Sequence, residues 1–359
     1  MIIESIELDS FRNYERELFE FDSETNVIYG DNGQGKTNIL EAIYLCSTTR
    51  SHKGSKDRQM INFGKDEAHL RMIIKKNDIR HRIDIHLKKN KTKGVALDGI
   101  PARKIGDILG ISNVVFFSPE DLSIIQDGPE ARRRFIDMEI CQLDKLYLYN
   151  LTNYKNVLKK RNNLLKQIGD IPELLDTLDV WNAQFLEYGS YIIKARQEFI
   201  EKVNGHIKEI YEKLTGGRET IDVKYEPNVT TESFEMNLLM SEKKDLFTKT
   251  SNVGPHRDDI SFISNKNDLR VYGSRGQQRT GALSLKLTEI SILEEKTGEK
   301  PILLLDDVLS ELDRNRQNYL LESIKGVQTI ITCTGLVEFI EQELNIKKKF
   351  NIKDGNIID

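Results

Sequence analysis

The chain has 359 residues, 38% of them hydrophobic, enough to bury two or three cores. Its 53 basic and 57 acidic side chains give a net charge of −4, which excludes a histone-like protein but leaves room for a local nucleic-acid patch. Cys46, Cys141 and Cys333 stand apart, with no CxxC or Cys/His cluster, and read as small buried residues rather than a disulfide frame or zinc site.

The first 30 residues read as strands. "IIESIELDSF" alternates, and "NVIYG" is a buried run ending at a glycine. The opening segment carries acids and no long apolar stretch, so no signal peptide is expected. No run of about 18 apolar residues occurs, so no membrane association is expected and a cytoplasmic location is the default. "KTNILEAIYLCS" places Ile39, Leu40, Ile43 and Tyr44 at helical spacing. Residues 68–87 read as a hairpin turning at "KKND", 88–99 as a further strand connection and 112–117 as a short buried strand. A helix begins near Pro129.

Tyr147, Leu151, Tyr154, Leu158, Leu165 and Ile168 then follow a heptad seam, with Arg161 at the missing position. "GDIP" interrupts it. A second seam runs through Leu174, Leu178, Trp181, Phe185, Tyr188, Ile192, Ala195 and Phe199. Two such helices joined by a short turn make an antiparallel helical hairpin. Residues 216–245 read as loop-rich, "DISFI" and "RVYGS" as strands, and 280–296 as a helix. "PILLLDDV" and Thr329–Cys333 are buried strands, and "FNIKDGNIID" turns at "DG" as a hairpin.

"GDNGQGKT" meets G-x-x-x-x-G-K-[ST] at Gly30, Gly35, Lys36 and Thr37, between a strand and a helix. Its glycines let backbone N–H groups turn inward on phosphates, and the helix N-terminus adds partial positive charge. Gly30, Asp31, Asn32, Gly33, Gln34, Gly35, Lys36, Thr37 and Asn38 are the expected nucleotide-binding residues. Lys36 reaches the β- and γ-phosphates and Thr37 takes Mg2+. Asp306, ending the apolar run "ILLLD", is the expected second metal ligand. Asp307 is placed either to polarise an attacking water or to cap a loop. Thr37 and Asp306 are 269 residues apart, farther than in small GTPases or AAA-type ATPases. Such a split site implies an insertion between two halves of one nucleotide-binding core.

Further blocks carry a resemblance. Ser274-Arg275-Gly276-Gln277 resembles the signature motif of ABC-type ATPases, and "SELD", Ser310 to Asp313, resembles their D-loop. "GDNGQGKTNILEAIYL", "SPEDLSIIQDGPEARRRFID", "GPHRDD", "SRGQQRT" and "LLLDDVLSELD" resemble, in order, blocks of the RecF family of bacterial recombinational repair proteins. The resemblance implies an α/β fold: an ABC-type head with a mixed sheet over 1–119 and 250–359, and a mostly helical lobe over 120–249 holding the short hairpin. It implies ATP and Mg2+ as ligands and an ATP-dependent homodimer in which Ser274 and Gly276 face the phosphates held by the other copy. It implies DNA as partner, whether single-stranded, double-stranded or gapped, together with RecR and RecO. Arg12 and Asn13, in "SFRNYE", resemble residues near the nucleotide in SMC-type heads.

The chain departs from typical ABC heads in carrying Asp307 where Glu is usual, and in having no histidine after the last buried strand. A slow ATPase serving as a timer is therefore expected, with Lys36 and Asp307 as catalytic residues. Transporter ATPase subunits and long-armed SMC tethers share some motifs. The former carry that histidine and lack a heptad insertion; the latter have much longer arms. Basic runs at 50–58, 88–93 and 155–166 offer phosphate contacts through Arg50, Lys53, Lys56, Lys155, Lys159, Lys160 and Arg161. Each run alone reads equally well as a solvated face.

Overall fold

The computed structural model describes residues 1–334, 340–342 and 344–358. The chain divides into two compact units: Met1–Asp121 with Glu289–Asp359, and Leu122–Thr288. The first begins with β1 (Ile2–Phe11), β2 (Tyr14–Glu20), β3 (Thr25–Tyr29) and helix α1 (Lys36–Thr48). It continues with β4 (Glu67–Lys76), β5 (Ile79–Lys88), β6 (Gly94–Leu97), β7 (Ile100–Pro101) and β8 (Val114–Phe117).

An antiparallel sheet has the order β2-β1-β4-β5-β6-β7. β1 buries Ile3, Ile6, Leu8 and Phe11. The odd step from Ile3 to Ile6 follows from a bulge between Ile3 and Ser5 that shifts its register against β4. The β4–β5 turn uses Asn77 and Asp78, both left-handed, as a tight hairpin requires.

The second unit starts with α2 (Leu122–Gln126), α3 (Pro129–Leu143), α4 (Lys145–Ile168) and α5 (Leu178–Thr215). Next come β9 (Ile221–Glu226), α6 (Phe234–Thr248), β10 (Asp259–Ser264), β11 (Asn267–Asp268), α7 (Leu269–Tyr272) and α8 (Arg275–Thr297). The first unit resumes within α8, at Glu289, and continues with β12 (Ile302–Asp306), α9 (Arg314–Ser323), β13 (Thr329–Cys333), β14 (Ile346–Lys353) and β15 (Asn356–Ile358). These last strands complete a mixed sheet in the order β15-β14-β3-β13-β12-β8, parallel except at β15. One core joins both large sheets of this unit to α1, through residues such as Leu8, Ile43, Leu70 and Leu304.

The expected boundary at 249/250 differs from this division. Residues 259–264 pair as β10 with β9, in register from Asp259↔Glu226 to Ser264↔Ile221, so the segment carrying Ser274 groups with the second unit. "RVYGS" is not a strand: its first half is the single turn α7, capped by Asp268, which accepts from Arg270 N at 2.7 Å. The segment read as loop-rich contains β9 and α6. Helix α6 escapes a periodicity reading because its apolar residues lie on two faces.

Helices α4 and α5 form the hairpin. Asp144 caps α4 by accepting from Leu146 N at 2.7 Å, and left-handed Gly216 ends α5. The seam on α5 differs from the heptad reading. Asn182, Gly189 and Arg196 are buried, whereas their apolar neighbours Trp181, Tyr188 and Ala195 are only half-buried. The interior here is partly polar, so apolar spacing alone points one residue off. Gly189 is required by packing: a Cβ there would lie 2.5 Å from Phe234 Cε1 and 3.1 Å from Tyr154 Cε2.

The polar partners of this seam come from α3, α4 and "GPHRDD". Fully buried Arg161 donates to Asp245 Oδ2 at 2.8 Å, Ser251 Oγ at 2.7 Å and Asn182 Oδ1 at 2.9 Å. Arg196 donates to Asp137 and Asp258, both at 2.8 Å, and Arg132 holds Asp259 with two bonds, at 2.6 and 3.0 Å. His256 Nδ1 meets Tyr154 OH at 2.7 Å, and burial pushes its pKa down to about 4. "GPHRDD" therefore serves as a polar core of this lobe.

Removing Arg161 strands Asp245 as a buried, unpaired charge. Arg161→Ala is expected to cost about 3–5 kcal/mol of lobe stability, while Lys159→Ala, on the exposed face, changes it by less than about 0.5 kcal/mol. Urea unfolding followed by the single tryptophan, Trp181, which packs beside Leu164, Leu165, Ile168 and Leu178, measures both.

Candidate nucleotide-binding site

Strand β3 runs parallel to its neighbours β13 and β14 and ends at Tyr29, where the chain turns through 30–35 into α1. Gly35 has φ 113°, and a Cβ there would lie 2.6 Å from Asn13 Nδ2, so only glycine fits. Gly30, at φ 144°, passes directly against the carbonyl of Ile352. Lys36 Nζ donates to Gly30 O at 2.7 Å and Asp31 O at 2.8 Å, closing the loop into a ring.

The loop is braced from both chain ends. Tyr14 OH donates to Gly35 O at 3.1 Å, and Asn13 Nδ2 to Gln34 O at 2.9 Å. Asn38 Nδ2 donates to Asn13 Oδ1 at 2.7 Å. From the C-terminal hairpin, Asp354 N donates to Gln34 Oε1 at 2.5 Å and Gly355 N to Gln34 O at 3.3 Å. Asn13 is therefore a brace of the loop. Asp31, Asn32 and Gly33 are exposed.

Thr37 Oγ1 donates to Asp306 Oδ1 at 2.8 Å across the 269-residue separation. Thr332 Oγ1 donates to the same oxygen, also at 2.8 Å. The parallel register sets Asp306 opposite Thr332, which is what brings the two together. Burial pushes the Asp306 carboxyl above its ordinary value, and the bonds from Thr37 and Thr332 only partly offset that. Asp307 adopts a left-handed backbone at φ 53°, with its N–H donating to Thr332 Oγ1 at 3.1 Å. A non-glycine residue in that region carries strain of the kind that collects at functional sites.

These groups line one cleft of about 240 Å3, formed by Asn32, Lys36, Thr37, Asp306, Asp307 and Thr332 with neighbouring loop residues. Lys53, read from sequence as a DNA contact, also lines it. Thr332 and Tyr14 were missed; the alignment of two parallel strands, Asp306 against Thr332, was the available signal for the first.

Arg12 is held by α1 and by the segment that follows it. Its Nε and Nη2 donate to the two carboxylate oxygens of buried Glu41 at 2.7 and 2.8 Å, and Nη1 donates to Gln59 O at 2.8 Å. Burial pushes Glu41 up, but its bonds with Arg12 and Ser51 outweigh that and hold it below the usual value. Ser310 Oγ donates to Asp307 O at 2.6 Å, and Asp313 caps α9, accepting from Arg316 N at 3.1 Å.

In the other unit, Ser274 and Gln277 form a reciprocal cap on α8: Ser274 N donates to Gln277 Oε1 at 2.9 Å, and Gln277 N to Ser274 Oγ at 3.3 Å. Arg275 and Gly276 are exposed. A Cβ on Gly276 would meet nothing closer than Ser274 Oγ at 3.9 Å, so the chain's own packing gives no reason for glycine there.

Of the basic candidates, Arg161 is excluded: it is fully buried in the ion pair with Asp245. Arg50, Lys56, Lys155, Lys159 and Lys160 are exposed. Lys155 reaches Asp137 at 3.5 Å, and Lys160 lies 4.9 Å over the Trp181 ring.

The family model described as the RecF/RecN/SMC N terminal domain matches residues 2–351. The "DNA replication and repair protein RecF" of Lachnoclostridium phytofermentans is 57% identical over 99% of both chains. A solved structure of the recombination mediator protein RecF with ATP, in the RecFOR pathway, superposes with a TM-score of 0.93 at 38% identity, covering 99% of this chain and 97% of that one. The Smc head domain of Pyrococcus furiosus shares the fold, with a TM-score of 0.59 at 20% identity over 99% of this chain and 96% of that one. Motif order, split head and full-length likeness agree, and the chain belongs to the RecF family.

Proposed function

We propose that this protein is an ATP-dependent switch of DNA replication and repair, whose two copies close on DNA when ATP is bound and part after slow hydrolysis. The observation that carries this reading is the Thr37–Asp306 hydrogen bond of 2.8 Å, which unites the two ends of the chain at one cleft. The relatives named for DNA replication and repair, and the RecF structure with ATP, support it.

The residues present fit ATP and Mg2+. Backbone N–H groups at 30–37 and the start of α1 cradle phosphate, with Lys36 and Lys53 supplying cationic charge. Thr37 Oγ1 and Asp306 are hard oxygen donors suited to Mg2+, which when bound neutralises phosphate charge. Asp307, in the same cleft, accepts the proton of the attacking water. Its side chain is one methylene shorter than the usual glutamate, which favours slow turnover. Glycine at 276 leaves open space at the α8 N-terminus, where a second copy's phosphates approach exposed N–H groups beside Ser274. DNA contacts fall to Arg50, Lys56, Lys155, Lys159 and Lys160, and RecR and RecO are the protein partners.

Sedimentation velocity with and without ATP and gapped DNA tests the switch. The wild type is expected to be monomeric alone and dimeric with ATP. Lys36→Arg is expected to lose the response. Gly276→Arg fills open space, so it should melt like wild type yet remain monomeric with ATP. A wild type that stays monomeric with both ligands, or a Gly276→Arg protein that dimerises normally, overturns the reading.

Asp306→Asn separates structure from ligand binding. An asparagine Oδ1 can still accept from Thr37 and Thr332, while the buried charge disappears. Because the folded pKa of Asp306 is raised, ionisation weighs against the fold, and that cost grows as pH rises through the folded value. The variant is therefore expected to melt about 2–4 °C higher than wild type at pH 8, with the gap closing as pH falls towards about 4. Mg2+-dependent ATP binding should fall at least tenfold. Melting curves across pH, with titration of a fluorescent ATP analogue, measure both.

A further inference from the structure

Helix α6 presents apolar side chains on two faces. Phe234 and Leu238 are buried in the lobe, beside the ion-paired Asp245. On the outer face Met236, Leu239, Met240 and Phe247 are 67%, 59%, 76% and 88% exposed. They sit at i, i+3, i+4 and i+11, a single stripe about 16 Å long at 1.5 Å rise per residue. The inner face suffices to dock the helix, so the outer stripe does nothing for folding. Contiguous apolar surface of this kind marks interaction sites, and methionines adapt to a partner's shape.

Charge identifies the partner. Lys243 lies on the stripe between Met240 and Phe247, with Lys244 and Lys249 beside that end, all exposed. Among the described residues none of the three forms an ion pair. Asp245, the acid in their midst, is turned inward and already neutralised by Arg161. Glu235 lies at the opposite end of the helix and Glu242 is half-buried, so the Phe247 end is net cationic.

We infer that the outer face of α6 docks an acidic amphipathic helix of a partner protein, its apolar ridge against Met236–Phe247 and its carboxylates against Lys243, Lys244 and Lys249.

Two designed 18-residue peptides test it on the full chain by fluorescence anisotropy: one with a leucine face flanked by glutamates, and one with lysines in their place. The acidic peptide is expected to bind at least tenfold tighter than the basic one, and more weakly as salt rises. Met240→Asp with Phe247→Asp should abolish binding while leaving the thermal melt unchanged, because both positions are exposed. Lys243→Glu with Lys244→Glu should reverse the preference between peptides. Equal affinity for both peptides, no binding of either, or binding unaffected by the aspartates overturns the inference. Binding of phosphatidylglycerol vesicles instead of peptide would assign the face to lipid, and aspartate-sensitive self-association would assign it to a second copy; either also overturns it.

Discussion

The parallel register of β3, β13 and β12 is the constraint on which the nucleotide cleft depends. Cys333 lies opposite Tyr29, and Thr332 opposite Asp306, so three strands end at one level. The phosphate loop leaves from the first, and two acids and a threonine from the others. A one-residue slip would turn Asp306 to the other face and break its bonds with both Thr37 and Thr332. Between these ends and Thr25, Asn26 and Thr329 at the opposite ends the strands are apolar, so burial on both faces fixes the register that the polar groups exploit.

This register joins segments that are far apart in sequence, yet the separation is cheap. Loop-closure entropy grows only logarithmically, at about 0.6 kcal/mol per doubling of length, and an insertion that folds as its own compact unit costs less still. The head can therefore carry a whole lobe between its phosphate loop and its acidic strand. The same economy lets the C-terminal hairpin brace the loop through Gln34, more than 300 residues upstream. A ligand in the cleft is held by both ends of the chain at once, so its binding energy adds to the closure of the entire head.

Much of this was legible in the residues. The phosphate loop, the acid-tipped strand and the hairpin all follow from spacing and apolar runs, because in the head the core is apolar and periodicity reports burial faithfully. In the lobe that link weakens. Asn182, Gly189 and Arg196 occupy the inner seam because their partners, Arg161, Phe234 and Asp137, come from elsewhere in the chain. No local pattern announces such pairings. Arg161 illustrates the consequence: in a run of lysines it looks like a nucleic-acid contact, yet it is fully buried in a polar core. Helix α6 was hidden for the converse reason, since apolar residues on two faces erase the one-sided stripe that identifies a surface helix.

The treatment of buried charge separates the lobe from the cleft. In the lobe each buried arginine meets a carboxylate within 3 Å: Arg132 with Asp259, Arg161 with Asp245, Arg196 with Asp137 and Asp258. These networks are internally neutralised, which is how a polar interior avoids the cost of stranded ions. Asp306 is buried to a similar degree, but among the described residues its hydrogen bonds come from two neutral hydroxyls and no ion pair compensates it. Lys36, in the same cleft, spends its donors on loop carbonyls instead of on that carboxylate. A carboxylate with no ion-pair partner, beside a lysine bonded only to backbone carbonyls, does little for stability and suits the metal and anionic ligand proposed for the cleft. The contrast within one chain, between charges that are settled and a charge that is not, supports the proposed reading of the cleft.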